Sequence, residues 1–186
     1  MPSHKTRVRR APDRGHHDRA TIDAILDDAM VAHVGFVDDD GRPYVIPMAV
    51  VRTEDEILLH GSTASRLMRK VADGRRICVT VTHLDGIVVS RSVFDSSMNY
   101  RSVVAFGRAR AIMDRAEKLA ALESLVDHLI PGRWKEARNP SEQELKATTL
   151  VALPIDEASA KFVPARLETT TPMSRFRCGR ARSRCG

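Results

Sequence analysis

Within residues 60–70 the chain places His60, Gly61 and Ser62 just ahead of Ser65, Arg66 and Lys70, the residue types that hold an anion. Small residues free backbone amides, hydroxyls can donate, and a planar guanidinium can meet two oxygens of a phosphate at once. Gly61 has no Cβ, so a ligand or a neighbouring backbone can come close. The plainer reading of Arg66 is one more solvated cation on a helix that also carries Arg69 and Lys70. His60 can donate to an anion or a substrate, with a charge that is adjustable near neutral pH. Its plainer reading is a strand-end imidazole that satisfies backbone groups.

Other chemistries are poorly served. Ser62 and His60 have no carboxylate assigned beside them, and the nucleophile-elbow pattern is missing, so Ser-His hydrolysis is disfavoured. Neither a Gly-x-Gly-x-x-Gly fingerprint nor a nucleotide-hydrolase phosphate loop occurs. His16, His17 and Asp18 are adjacent on a segment without defined geometry, and Cys178 and Cys185 lack a third and fourth ligand nearby; no metal site is expected. Cys78 reads as a buried thiol in an apolar run. This cysteine usage fits a reducing, cytoplasmic setting better than a disulfide scaffold.

These residues must be positioned by strands. Pro43 and Pro47 interrupt the donors of an otherwise strand-like segment, which places it at an edge, a bulge or a ligand-facing bend. Asp18 caps a short amphipathic helix built on Ile22, Ile25 and Leu26. Strands follow over residues 30–37, 45–51 and 56–60, the first pair joined by a tight Asp-Gly turn at residues 38–42. A helix over residues 63–73 turns Leu67, Met68 and Val71 inward. Residues 76–82 and 86–93 read as two strands across a turn at residues 83–85. The long segment 100–113 bends at Gly107. Asp114 caps the strongest helix, which Pro131-Gly132 stops. A polar loop with Trp134 leads to strands over residues 148–155 and 158–164. Seven or eight strands with short links and few helices predict a mainly β, closed or nearly closed barrel with flanking helices. His33 alternates with apolar neighbours and reads as structural.

Size and charge agree. The 186 residues, 42% apolar and 29% charged, suit one globular core. The expected organisation is a basic N-terminal segment 1–17, a barrel domain 18–164 and a basic, disordered tail 165–186. The net charge of +6 gathers at the two Arg-rich ends. Such ends can attract nucleic acid or acidic membranes, but they lie outside the periodic core and aromatic residues are few, so nucleic acid is disfavoured. With no run of 18 apolar residues, no membrane span is expected. The N-terminus lacks the apolar region of a secretory signal.

Several motifs together resemble one family. Gly41-Arg42-Pro43-Tyr44-Val45-Ile46-Pro47-Met48, Leu58-Leu59-His60-Gly61-Ser62, Ser65-Arg66 and Tyr100-Arg101-Ser102-Val103-Val104-Ala105-Phe106-Gly107 are similar to the flavin-binding split-barrel proteins related to pyridoxamine 5'-phosphate oxidase. Within them the chain looks most like the nitroimidazole-resistance (Nim-like) branch. The resemblance implies a six-stranded split barrel, a homodimer, and FMN in grooves at the dimer interface, with F420 or haem as alternatives. It places the phosphate on His60, Gly61, Ser62, Ser65 and Arg66, with Lys70 in support. It sets the isoalloxazine beside Val45, Ile46, Pro47 and Met48, and the flavin edge at Arg101 and Ser102, with Tyr100 closing the pocket or packing at the dimer seam. His60 is the implied catalytic group. The implied activity is FMN-dependent reduction of a small electron-poor substrate, a quinone or nitroaromatic; a non-enzymatic flavin or haem carrier and an F420-dependent reductase are the alternatives. The substrate-phosphate subsite of the oxidase is missing, so oxidation of pyridoxamine phosphate is not expected. The segment after Pro164 departs from the Nim-like ending.

Overall fold

A computed structural model describes residues 6–163; the tail expected beyond residue 164, with Cys178 and Cys185, lies outside the described residues. Helix α1 (Arg19–Asp27) starts where Asp18 Oδ1 accepts the Thr21 amide at 2.9 Å, and buries Ile22, Ile25 and Leu26. Ahead of it the short strand β1 (Gly15–His16) lies along the sheet edge.

Strand β2 (Val31–Val37) alternates: Ala32, Val34 and Phe36 are buried, and Val31, His33 and Val37 face outward. The turn into β3 (Pro43–Arg52) uses Gly41 at φ 80°, and Asp38 Oδ1 accepts the amides of Asp40 (3.0 Å) and Arg42 (2.9 Å). The prolines of β3 then make sense. From Pro43 to Ala49 the strand pairs with β2, while its pairing with β4 (Glu56–Ser62) covers only Val50, Val51 and Arg52. Pro43 and Pro47 therefore sit where one backbone edge has no strand partner. Beyond the Val50–Leu59 pair the two strands part, and helix α2 (Arg66–Ala72) fills the gap with Leu67, Met68 and Val71.

Strand β5 (Arg76–Val88) is one continuous strand, where the sequence suggested two. Asp85-Gly86 is a bulge: the register with β6 (Ser97–Arg108) shifts between Leu84 and Gly86, and Arg101 Nε donates to both Asp85 oxygens at 3.1 Å. Gly107, where the sequence suggested a bend, is not a bulge. It stays in register with Ile77, and a Cβ there would lie 2.7 Å from Leu153 Cδ1, so glycine serves close packing. The bend comes at Ala109, after which β7 (Arg110–Ala111) pairs with β8 (Thr148–Pro154).

Between them, α3 (Arg115–Leu129) is capped by Asp114, which accepts the Glu117 amide at 2.9 Å. The expected loop around Trp134 holds two short helices, α4 (Arg133–Glu136) and α5 (Glu142–Ala147); the latter begins with a Ser141–Glu144 capping box. Strand β9 (Glu157–Val163) completes an antiparallel sheet in the order β1-β9-β6-β5-β2-β3-β4-β8-β7. Because β6 runs on into β7, one chain segment joins the two ends of the β6-to-β8 ladder and curls it into a barrel. Among the described residues no helix is long and apolar enough to cross a membrane.

Two cores result, with β4 and β8 as the wall between them. Ile57, Leu59, Val151 and Leu153 face the barrel interior, whereas Leu58, Leu150 and Ala152 face Ala121 and Leu125 of α3. This alternation decides where each side chain of β4 can act.

Candidate functional site

A cleft of about 770 Å³ lies on the outer face of the sheet. Gly35, Val45, Cys78 and Phe106 share that face by register and form an apolar floor. Lys70, Arg75, Arg76 and Arg108 stand around it. Burial holds the Cys78 thiol above its ordinary pKa, so it stays protonated near neutrality.

Tyr44 links this floor to α2. Its hydroxyl accepts a hydrogen bond from Arg66 Nη1 at 2.7 Å, its ring lies under the guanidinium at 4.7 Å, and it stacks on Phe36 with ring centroids 5.3 Å apart. Arg66 is thus anchored at one edge while its remaining N–H groups stay exposed. The hydroxyls expected to join it have local duties. Ser65 Oγ accepts the Met68 amide at 3.5 Å as the cap of α2, and Ser62 Oγ accepts the Ala64 amide at 3.2 Å. One turn beyond Arg66, Lys70 and Arg75 both pair with Asp39.

The four β3 residues expected beside a planar ligand divide between two faces. Val45 and Pro47 point to the outer face with the cleft, Val45 remaining 66% exposed. Ile46 and Met48 share the inner face with Val34 and Ala32, and Met48 packs against the barrel core. Period-two alternation forces this split.

His60 does not join Arg66. It has the parity of Leu58, so it faces the α3 side of β4, while Gly61 turns inward beneath Met68. There His60 lines a second cavity of about 470 Å³ with Leu122, Val126, Trp134, Ala137 and Arg138. Its Nδ1 is buried without a hydrogen-bond partner among the described residues. Burial also holds the imidazole below its ordinary pKa, which keeps it neutral at pH 7. At the rim, Arg138 forks onto Glu144 at 2.8 and 2.7 Å.

Arg101 is engaged elsewhere too. Besides Asp85 it donates to Asp28 Oδ2 at 2.8 Å, tying β6 to the end of α1, and this contact holds the Asp28 carboxyl below its usual range. Ser102 lies on the opposite face, paired with Thr82 and Lys161, and half-buried Tyr100 pairs with Leu84 and Val163. These three residues stand at the other end of β6 from Phe106 and the cleft.

The structure therefore gathers Tyr44, Val45 and Lys70 around one cleft, holds Arg66 next to it on Tyr44, sets His60 in another cavity, and leaves Arg101 in an ion-pair network. Asp39, Tyr44, Arg75 and Phe106 join the first site and Trp134 the second. Of these only the Pro43-Tyr44 strand carried a local signal; the others meet through strand register. His16 Nδ1 and Asp18 lie 4.0 Å apart, and no set of three metal-ligating side chains gathers among the described residues.

Residues 18–162 match the family model described as pyridoxamine 5'-phosphate oxidase. Among solved structures, the flavocytochrome Anf3 from Azotobacter vinelandii is 40% identical with TM-score 0.83, over 89% of this chain and 76% of that one. The FAD and heme binding protein from Mycobacterium smegmatis is 39% identical with TM-score 0.78, over 84% of this chain and 77% of its own. A structure described as a 5-nitroimidazole antibiotic resistance protein, from Bacteroides thetaiotaomicron, shares the fold at 24% identity and TM-score 0.66, over 79% of this chain and 85% of its own. No curated protein matches the chain.

Proposed function

Because this chain belongs to the pyridoxamine 5'-phosphate oxidase family, we propose that it is a flavin-dependent oxidoreductase whose cofactor lies along the outer cleft, phosphate toward Arg66. The observation that carries the reading is an apolar floor of Val45, Cys78 and Phe106 bordered by cations, with Tyr44 anchoring Arg66 at its end. A planar, anionic ligand fits that combination, since the ring system loses water against the floor and the phosphate meets guanidinium and ammonium donors. FMN is the cofactor expected from the sequence, with FAD, named in the M. smegmatis relative, and F420 as alternatives that are likewise planar and anionic.

A flavin held there would supply two-electron transfer from a donor to a small electron-poor acceptor of the quinone or nitroaromatic kind. The chain's own residues bind, orient and shield. Arg66 is pre-oriented by Tyr44, which limits the side-chain entropy lost on binding. His60, across β4, is too remote in orientation to serve this cleft, so protons for the acceptor come from water. Anaerobic purification, followed by a visible spectrum and mass identification of the released ligand, tests the reading. A colourless protein that neither retains nor rebinds a flavin removes it.

A homodimer belongs to the same proposal. Val31, Val37 and Val45 are 52%, 48% and 66% exposed on one sheet face, and a second copy laid there would cover them and close the cleft. Light scattering of the purified protein should give twice the chain mass.

A second reading adds haem, because His60 offers an unclaimed, neutral imidazole in an apolar cavity and the two relatives near 40% identity are a flavocytochrome and an FAD and heme binding protein. Haem and flavin have distinct absorption, so the same spectrum tests it. A Soret band absent from His60→Ala would support it. No Soret band after reconstitution with haem would dismiss it.

A further inference from the structure

Asp39 has no structural duty in its own turn. The hairpin between β2 and β3 is held by Asp38, whose Oδ1 accepts the amides of Asp40 and Arg42. The side chain of Asp39 instead leaves the turn, stays 61% exposed, and pairs with Lys70 and Arg75. Those two cations come from different elements, Lys70 from the last turn of α2 and Arg75 from the loop before β5, and both border the outer cleft. A carboxylate that bridges two cations at a cleft edge occupies the place an anionic oxygen of a ligand would take.

The site thus has two cationic positions. Arg66 lies at one end of α2 on Tyr44; Lys70 lies one turn further along and Arg75 beyond the end of the helix, and Tyr44 lines the same cleft as these two. Residues i and i+4 of a helix are neighbours on one face, so the two positions are adjacent. The rest of the rim is less available: Arg76 pairs with Glu157 at 2.8 Å, Arg108 donates to the Gly74 carbonyl, and Asp73 adds a negative charge. A mononucleotide brings one phosphate and can satisfy one position. Two phosphates in a pyrophosphate bridge can satisfy both.

We infer that Lys70 and Arg75 form a second phosphate position, filled in the unliganded protein by Asp39 as a displaceable counter-ion, and that the flavin matching this site is the dinucleotide FAD. The inference rests on the flavin reading above and narrows it. Binding exchanges the Asp39 carboxylate for a phosphate oxygen, and the displaced carboxylate passes into water. Asp39 is therefore a competitor for the site, and its removal tightens binding.

The experiment is a pair of equilibrium titrations, FAD and FMN each followed by flavin fluorescence, on the full chain and two variants. These ion pairs are exposed and contribute little to stability, so the variants keep the fold, which circular dichroism verifies. Asp39→Asn should tighten FAD by about three- to tenfold, and the double variant Lys70→Gln/Arg75→Gln should weaken FAD about tenfold or more while moving FMN less than about twofold. Parallel changes for FMN and FAD would overturn the second position while leaving the flavin reading intact, as would an Asp39→Asn protein with unchanged FAD affinity. A wild-type protein that binds neither flavin would overturn both.

Discussion

His60 and Gly61 are consecutive in β4 and face different compartments. Gly61 lies against Met68 in the barrel, where a Cβ would stand 2.8 Å from Met68 Cγ, while His60 opens into the cavity beneath α3 with Trp134. The strand is the partition between the barrel core on one side and an apolar, imidazole-bearing cavity on the other.

Gly61→Ala should therefore be destabilising through packing alone. The new methyl forces Met68 to shift, and overpacking of this kind costs about 1–3 kcal/mol. Chemical denaturation checks it, and Gly61→Ala/Met68→Ala should lose less than the sum of the two single variants because the clash is removed.

The pH dependence of stability follows from His60. Its pKa is depressed in the folded chain by burial, so the unfolded chain binds the proton more readily. Stability from this group is complete above the unfolded value, about 6.5, and is lost as pH falls from there toward the folded value. His60→Gln should flatten the denaturation midpoint between pH 7 and pH 5 relative to wild type. An unchanged difference would show that His60 titrates freely.

Glu144 gives the same sign in a lower pH window and from a different cause. Arg138 and the capping box hold its carboxyl down to about 2. Its contribution is present above the unfolded carboxylate value and is lost as pH falls through about 2. A carboxyl-selective NMR titration should find Glu144 still ionised at pH 3.5, and Arg138→Ala should move its midpoint upward.

Arg101 separates a structural role from a ligand role. With exposed Asp28 and Asp85 as partners, Arg101→Ala should lower stability by only about 1 kcal/mol or less. Flavin affinity should change less than about twofold. A large loss of affinity with intact stability would place the flavin edge at β6 after all.

How much of this was legible in the sequence depends on the range of the signal. Caps at Asp18 and Asp114, the prolines of β3 and the strand alternation are local, and each appears where the sequence puts it. Asp85-Gly86 misled because a bulge and a turn use the same residues, and only the partner strand decides between them. The site was read as one linear cluster, and strand parity broke it: His60 departs from Gly61, and Val45 and Pro47 from Ile46 and Met48. Asp39, Arg75 and Phe106 carry no motif. Tertiary register alone brings them to Lys70 and Tyr44.

Val45→Glu tests the central claim most directly. Val45 is 66% exposed, so the fold should tolerate the change, yet the substitution puts a carboxylate on the apolar floor of the cleft. A flavin fluorescence titration at low salt, on protein that circular dichroism shows to be folded and light scattering shows to keep the wild-type oligomeric state, should show affinity falling about tenfold or more. Wild-type affinity in a fully folded Val45→Glu protein would contradict the placement of the flavin in this cleft.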